Sequence, residues 1–149
     1  MIERVLIICV GNVCRSPLAE ALLRQALPQI HIASAGTHAS PGAPAHPLIQ
    51  QIAAEAGLQL QEHRAQRLQP QMVQQTGLVL VMDQFTRNHV LHLYPECRGK
   101  IFRLGEYQQS DIPDPMGEPE DNFRKISEQI HLAVRSWQSI LSKSRPLVS

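Results

Sequence analysis

Cysteine is scarce in this sequence: three residues in 149, at Cys9, Cys14 and Cys97. So low and odd a number argues against a secreted disulfide scaffold. It fits a reducing compartment, where the question becomes which thiol is reactive. No charge of one sign dominates either. The 14 Lys and Arg against 13 Asp and Glu leave a formal net charge of +1. That is too little for a global field drawing nucleic acid or an anionic membrane, so any anion site must be local. No apolar run reaches the roughly 18 residues that suggest a membrane span. The N-terminus lacks the basic region, long apolar stretch and small-residue cleavage site of a signal peptide, and a cytoplasmic protein is expected. Repeats, low-complexity tracts and linkers are also missing, and a chain of 149 residues suits a single domain, 1–149.

What is present is an alternation of strand and helix patterns. Residues 4–10 form a continuous β-branched apolar run without alternation, as expected of a strand buried on both faces of a parallel sheet. Gly11-Asn12 ends it, and Ser16-Pro17 opens a helix, with Ser as N-cap, Pro at the first helical position and Glu20 in the first turn. Leu18, Ala21, Leu22 and Ala26 form its expected apolar face, and Pro28 stops it. Further strands are predicted at 31–35, 78–82 and, more weakly, 101–104. Helices are predicted at 47–56 with Gly57 as stop, near 70–75, from an Asp83 cap to about Leu93, and over 119–143. In the last helix Phe123, Ile126, Ile130, Val134, Trp137 and Leu141 recur every three or four residues, an amphipathic period. The fold class is therefore α/β with a mostly parallel sheet.

The segment Cys9-Val10-Gly11-Asn12-Val13-Cys14-Arg15-Ser16 lies between the first strand's carboxyl end and the first helix's N-terminus. Ligands bind there in α/β sheets, and loop amides with the helix dipole make an anion site. A cysteine opening such a loop is favoured as thiolate, which is already a nucleophile. Five residues separate Cys9 from Arg15. A loop wrapped once around a small anion returns the guanidinium toward the sulfur, where its planar fork can hold two oxygens. Gly11 permits backbone angles that turn amides inward, Asn12 can brace the loop, and Ser16 can donate to the thiolate. Where the bound anion is an ester with a poor leaving group, breaking it also calls for an acid. Asp111, Asp114 and Asp121 are candidates, and spacing does not choose between Asp111 and Asp114.

Cys9 to Pro17 resembles the phosphate loop of the low-molecular-weight protein tyrosine phosphatases. Ser34-Ala35-Gly36-Thr37, His63-Arg64-Ala65, Val81-Met82-Asp83 and Asp111-Ile112-Pro113-Asp114-Pro115 are similar to further family segments, in order, over nearly the whole chain. The resemblance implies a four-stranded parallel twisted sheet with helices on both faces. It implies a protein-tyrosine phosphatase with Cys9 as nucleophile, Arg15 as phosphate clamp and Asp114, the Asp before Pro, as acid and then base. Val10, Gly11, Asn12, Val13, Cys14, Ser16 and Met116 would contact substrate. No cofactor or metal is implied. The expected partner is a phosphotyrosine-bearing protein, by analogy with bacterial members linked to tyrosine kinases of capsule or exopolysaccharide export. No nucleic acid or membrane is expected, and the protein is expected as a monomer or weak dimer.

Cys14 either traps oxidised Cys9 as a disulfide, as the resemblance implies, or is a buried filler. His63 corresponds to a structural family histidine. His89 and His92 have helical spacing but no third metal ligand, and read as a solvated face. Cys97 reads as inert. Two alternatives use the same loop. An arsenate reductase needs further cysteines after the third strand, where only Cys97 stands. A non-catalytic phosphate-binding module would have lost the nucleophile or the acid, and both are present. Met116 stands where many members carry an aromatic, and residues 38–46 contain no Phe, Tyr or Trp. The wall expected to grip a phosphotyrosine ring is therefore thin.

Overall fold

The computed structural model describes residues 1–143. Among these, four parallel strands, β1 (Arg4–Cys9), β2 (His31–Gly36), β3 (Leu78–Val81) and β4 (Ile101–Arg103), form a sheet in the order β2-β1-β3-β4. The α-helices are α1 (Arg15–Ala26), α2 (Pro47–Glu55), α3 (Pro70–Gln74), α4 (Gln84–Leu93) and α5 (Glu120–Lys143). None of the described helices is long and apolar enough to cross a membrane.

Both faces of the sheet are covered, which is why β1 and β3 read as unbroken apolar runs. Val5, Ile7 and Cys9 join Leu18 and Leu23 of α1 and Phe123, Ile130 and Trp137 of α5 in one core. Leu6 and Ile8 join Val73 of α3, Val90 of α4 and Cys97 in the other. All six periodic apolar residues of α5 are buried. Trp137 Nε1 donates to the Leu104 carbonyl at 2.8 Å, tying α5 to the end of β4. Asp83 caps α4 as expected, its Oδ1 accepting from Thr86 N at 2.7 Å. Gly57, at φ +79°, follows the end of α2 in the left-handed conformation expected of a helix stop.

The start of α1 departs from expectation. The helix begins at Arg15, Cys14 occupies the cap position without a side-chain cap, and Glu20 falls in the second turn. Ser16 does not cap because it lies inside the helix and its hydroxyl is drawn to Cys9. The buried face is wider than expected and includes Leu18 of the predicted set. Arg15, Ser16, Leu18, Ala19 and Leu23 are buried, whereas Ala21, Leu22 and Ala26 are only half-covered. The last three nonetheless pack against the core that α1 shares with β1 and α5, as the apolar pattern anticipates.

The sheet order places a switch point between β1 and β3. The chain leaves β1 into α1 on one face and β3 into α4 on the other. In open α/β sheets ligands bind at the carboxyl ends of strands at such a point, and Cys9 and Asp83 stand there.

Candidate active site

Residues 9–16 form a loop in which one amide and one hydroxyl converge on Cys9. Asn12 N donates to Cys9 Sγ at 3.2 Å, and Ser16 Oγ lies 2.8 Å from the same sulfur. Asn12 is fully buried and takes the left-handed conformation, φ +57°. Gly11, whose freedom the loop was expected to use, has no positive φ, and a Cβ there would make only an ordinary contact with Val13. Asn tolerates a positive φ better than most residues, and here its side chain is fixed from three sides. Its Nδ2 donates to Ser16 Oγ at 2.8 Å and to Ser34 Oγ at 2.9 Å, while its Oδ1 accepts from Gln66 N at 2.9 Å. Ser34 in turn donates to the Glu20 carboxylate. With the amide donating to Ser16, the serine's own hydrogen is left to point at Cys9. His63 Nε2 lies 2.7 Å from the Asn12 carbonyl, a bracing contact in keeping with its expected structural role.

Gly36, the last residue of β2, is the glycine the loop requires. A Cβ there would stand 2.5 Å from the Val10 carbonyl and 3.0 Å from Asn12 N. His38 N donates to that Val10 carbonyl at 2.9 Å, and His46 N donates to the Val13 carbonyl at 2.9 Å. The loop is thus laced to the chain after β2.

Arg15 is 2% exposed, unusual for a cation and possible only because it is paired. Its Nη1 donates to Asp83 Oδ2 at 3.1 Å and to the Ile112 carbonyl at 2.8 Å, and Nη2 stands 3.8 Å from Asp114 Oδ2. Burial opposes the Asp83 carboxylate, but bonds from Thr86 and Arg15 outweigh it and hold Asp83 below its usual range. The sequence shows Asp83 only as a helix cap. Its place at the carboxyl edge of β3 was the available signal for this second role.

Asp114 Oδ1 accepts from Met116 N at 3.1 Å, and its side chain is 47% exposed at the mouth of the loop. Asp111 is engaged elsewhere, its Oδ1 accepting from Arg103 Nη1 at 3.0 Å and Gln84 N at 3.2 Å. Cys14 is buried, and its thiol donates to Met116 Sδ at 3.4 Å. Burial first, then the Cys9 and Asp114 charges, push that thiol from 9.0 up to about 12, with Arg15 opposing. Cys97 lies in the core on the opposite face of the sheet from Cys9 and Cys14. His89 is not merely solvated, since its ring stacks on His38. Among the described residues no group of three or more His, Cys, Asp or Glu is placed to hold a metal ion.

A sulfur on the floor of an amide-lined loop, with a buried guanidinium and a carboxyl at the rim, suits cysteine-dependent attack on an oxyanion ester. Comparison with known proteins agrees. A family model described as low molecular weight phosphotyrosine protein phosphatase matches residues 4–147, and this chain belongs to that family. It is 42% identical over 137 residues to a probable low molecular weight protein-tyrosine-phosphatase, EpsP, of Ralstonia nicotianae, covering 92% of this chain and 94% of the relative. The tyrosine phosphatase Wzb from Escherichia coli K30, solved with sulphate, is 34% identical with a TM-score of 0.91, covering 95% and 99% of the two chains. The YwlE arginine phosphatase from Geobacillus stearothermophilus is 27% identical with a TM-score of 0.90, covering 98% and 99%.

Proposed function

We propose that this chain, as one catalytic domain, hydrolyses phosphotyrosine in protein substrates in two steps through a phosphocysteine. Cys9 thiolate attacks phosphorus in line, the P–O bond to the phenol breaks, and Asp114 gives its proton to the leaving oxygen. Asp114 then takes a proton from water, which attacks phosphorus and returns Cys9 as thiolate with release of phosphate. Loop amides and Arg15 hold the equatorial oxygens, where transition-state charge is spread. The observation that carries the reading is the pair of donors at Cys9 Sγ, Asn12 N and Ser16 Oγ, beside an Arg15 that faces Asp114. Asp114 is favoured over Asp111 because Asp111 is committed to Arg103 and Gln84. The burial of Cys97 in the opposite core counts against a disulfide cascade of the arsenate-reductase kind.

The finer substrate reading is a tyrosine kinase of capsule or exopolysaccharide export, with the phosphatase acting as a cytoplasmic monomer or weak dimer. It rests on the resemblance of the motifs to bacterial members and on the similarity to EpsP and Wzb. The test is a rate panel on phosphotyrosine, phosphoserine, phosphoarginine and arsenate, with Asp114→Asn and Asp111→Asn beside the wild type. Phosphotyrosine should be preferred. Asp114→Asn should slow it by roughly two to four powers of ten, and much less for an aryl ester with a good leaving group. Preference for phosphoarginine or arsenate would overturn the substrate reading; a larger loss in Asp111→Asn would overturn the acid.

A further inference from the structure

Met116 and residues 38–46 supply no ring wall, but one exposed aromatic stands at the start of α4, close to the residue that holds Arg15. Phe85 is 80% exposed, more than any other large apolar side chain among the described residues. It is the second residue of α4, two beyond the Asp83 that holds Arg15. The helix start is fixed there on three sides. Asp83 accepts from Thr86 N and from Arg15, Gln84 N donates to Asp111, and Thr86 is buried. Side chains on a helix lean toward its N-terminus, so the Phe85 ring extends past the end of α4. That end lies at the carboxyl edge of the sheet, the edge that carries the Cys9 loop.

One turn along the same face stands His89, whose ring stacks on His38 with centroids 5.6 Å apart and planes 26° apart. His38 is joined to the loop itself through its N–H on the Val10 carbonyl, at 2.9 Å. The imidazole pair therefore joins α4 to a segment bonded to the phosphate loop, and Phe85 lies one turn before His89 on that helix. Asp114 and Met116, with Cys14 beneath Met116, belong to the separate segment after β4. An aromatic left this bare in water gains most when a flat apolar group covers it.

We propose that Phe85, backed by the His38–His89 stack, is the face on which the aryl ring of the substrate packs, and so the residue that favours aryl over alkyl phosphate esters. This rests on the phosphotyrosine reading above.

Inhibition constants for two non-reacting ligands test it, with benzylphosphonate presenting a ring and inorganic phosphate presenting none. Phe85→Ala should weaken benzylphosphonate about tenfold while moving phosphate by less than about twofold. Phe85→Tyr should bind benzylphosphonate as the wild type does. Phe85→Leu, apolar but without a ring, should fall between. The fall in kcat/KM on a phosphotyrosine peptide should lie in KM. Equal benzylphosphonate inhibition of Phe85→Ala and wild type overturns the inference. So does parallel weakening of both ligands, which would mean a disturbed loop instead of a lost wall. Wild-type protein inactive on phosphotyrosine overturns the activity reading and this inference with it, whereas a phosphotyrosine-active wild type matched by Phe85→Ala overturns this inference alone.

Discussion

Cys9 and Cys14 show how position within one loop divides identical side chains. The sulfur of Cys9 meets a backbone N–H and a serine hydroxyl, both able to donate to a thiolate. Cys14 is buried, and its own S–H is the donor, to Met116 Sδ. Burial, reinforced by the charges of Cys9 and Asp114, raises the Cys14 thiol to about 12. That shift favours the neutral thiol of Cys14 over the thiolate, the form through which disulfide exchange runs. The same shift acts on stability. The folded chain keeps this proton more tightly than the unfolded one, so its contribution is fully present below pH 9 and is lost as pH rises toward 12. Unfolding free energy measured across that window should fall less steeply in Cys14→Ala than in the wild type. Parallel profiles would show that the buried thiol is not what titrates.

At the scale of elements, Arg15 is the side chain that joins three of them: the first turn of α1, the β3–α4 junction through Asp83, and the loop after β4 through the Ile112 carbonyl. Asp83→Asn separates the two duties of that residue, since Asn is as good an N-cap for α4 but carries no charge for Arg15. Loss of one charged hydrogen bond predicts a destabilisation of about 1.5–3 kcal/mol. It also predicts a fall of at least about tenfold in kcat/KM, since the clamp would lose its aim. Wild-type kcat/KM in Asp83→Asn would mean that Ile112 alone positions the guanidinium. In the wild type the lowered carboxyl contributes stability above its ordinary 3.8, and this is lost as pH falls through the folded value. Asp83→Asn should lack that acid loss. These junctions also mark where the sequence could be read and where it could not. The β1 run, the α5 period and the Asp83 cap are local patterns, and each appears in the fold. The ion pair from Asp83 to Arg15 spans 68 positions and leaves no periodic trace. Gly36 is needed because β2 presses on a loop more than 20 residues earlier, and Ser16 fails as a cap because Cys9 takes its hydroxyl. The partnership of His38 with His89 is likewise long-range. Contacts of this kind come into view only when the strand order is known.

The whole molecule hangs on β1, which pairs with both neighbours and carries one core on each face. If the chain is one cooperative domain, an anion bound in the loop after β1 must stabilise parts of the fold that it does not touch. Trp137 is the sole tryptophan and reports on such a part. It lies on α5, bonded to the Leu104 carbonyl, with Phe102 at 5.9 Å and Tyr107 at 5.2 Å between ring centroids. Inorganic phosphate at a hundred times its Kd should add about 2.7 kcal/mol of stability by mass action. For a chain of this size that corresponds to a rise in Tm of roughly 5–10 °C. The rise should be the same by Trp137 fluorescence and by far-ultraviolet circular dichroism, because loop and α5 share the core that contains Cys9, Leu18 and Phe123. A Trp137 transition that stays in place while the dichroism shifts would divide the chain into two folding units. Arg15→Lys keeps the charge but replaces the planar fork with a point donor. At the same phosphate concentration its shift should shrink to less than about half, because weaker binding enters the mass-action term directly. An undiminished shift would reduce Arg15 to a nearby charge, and the binding would then rest on the loop amides and the dipole of α1.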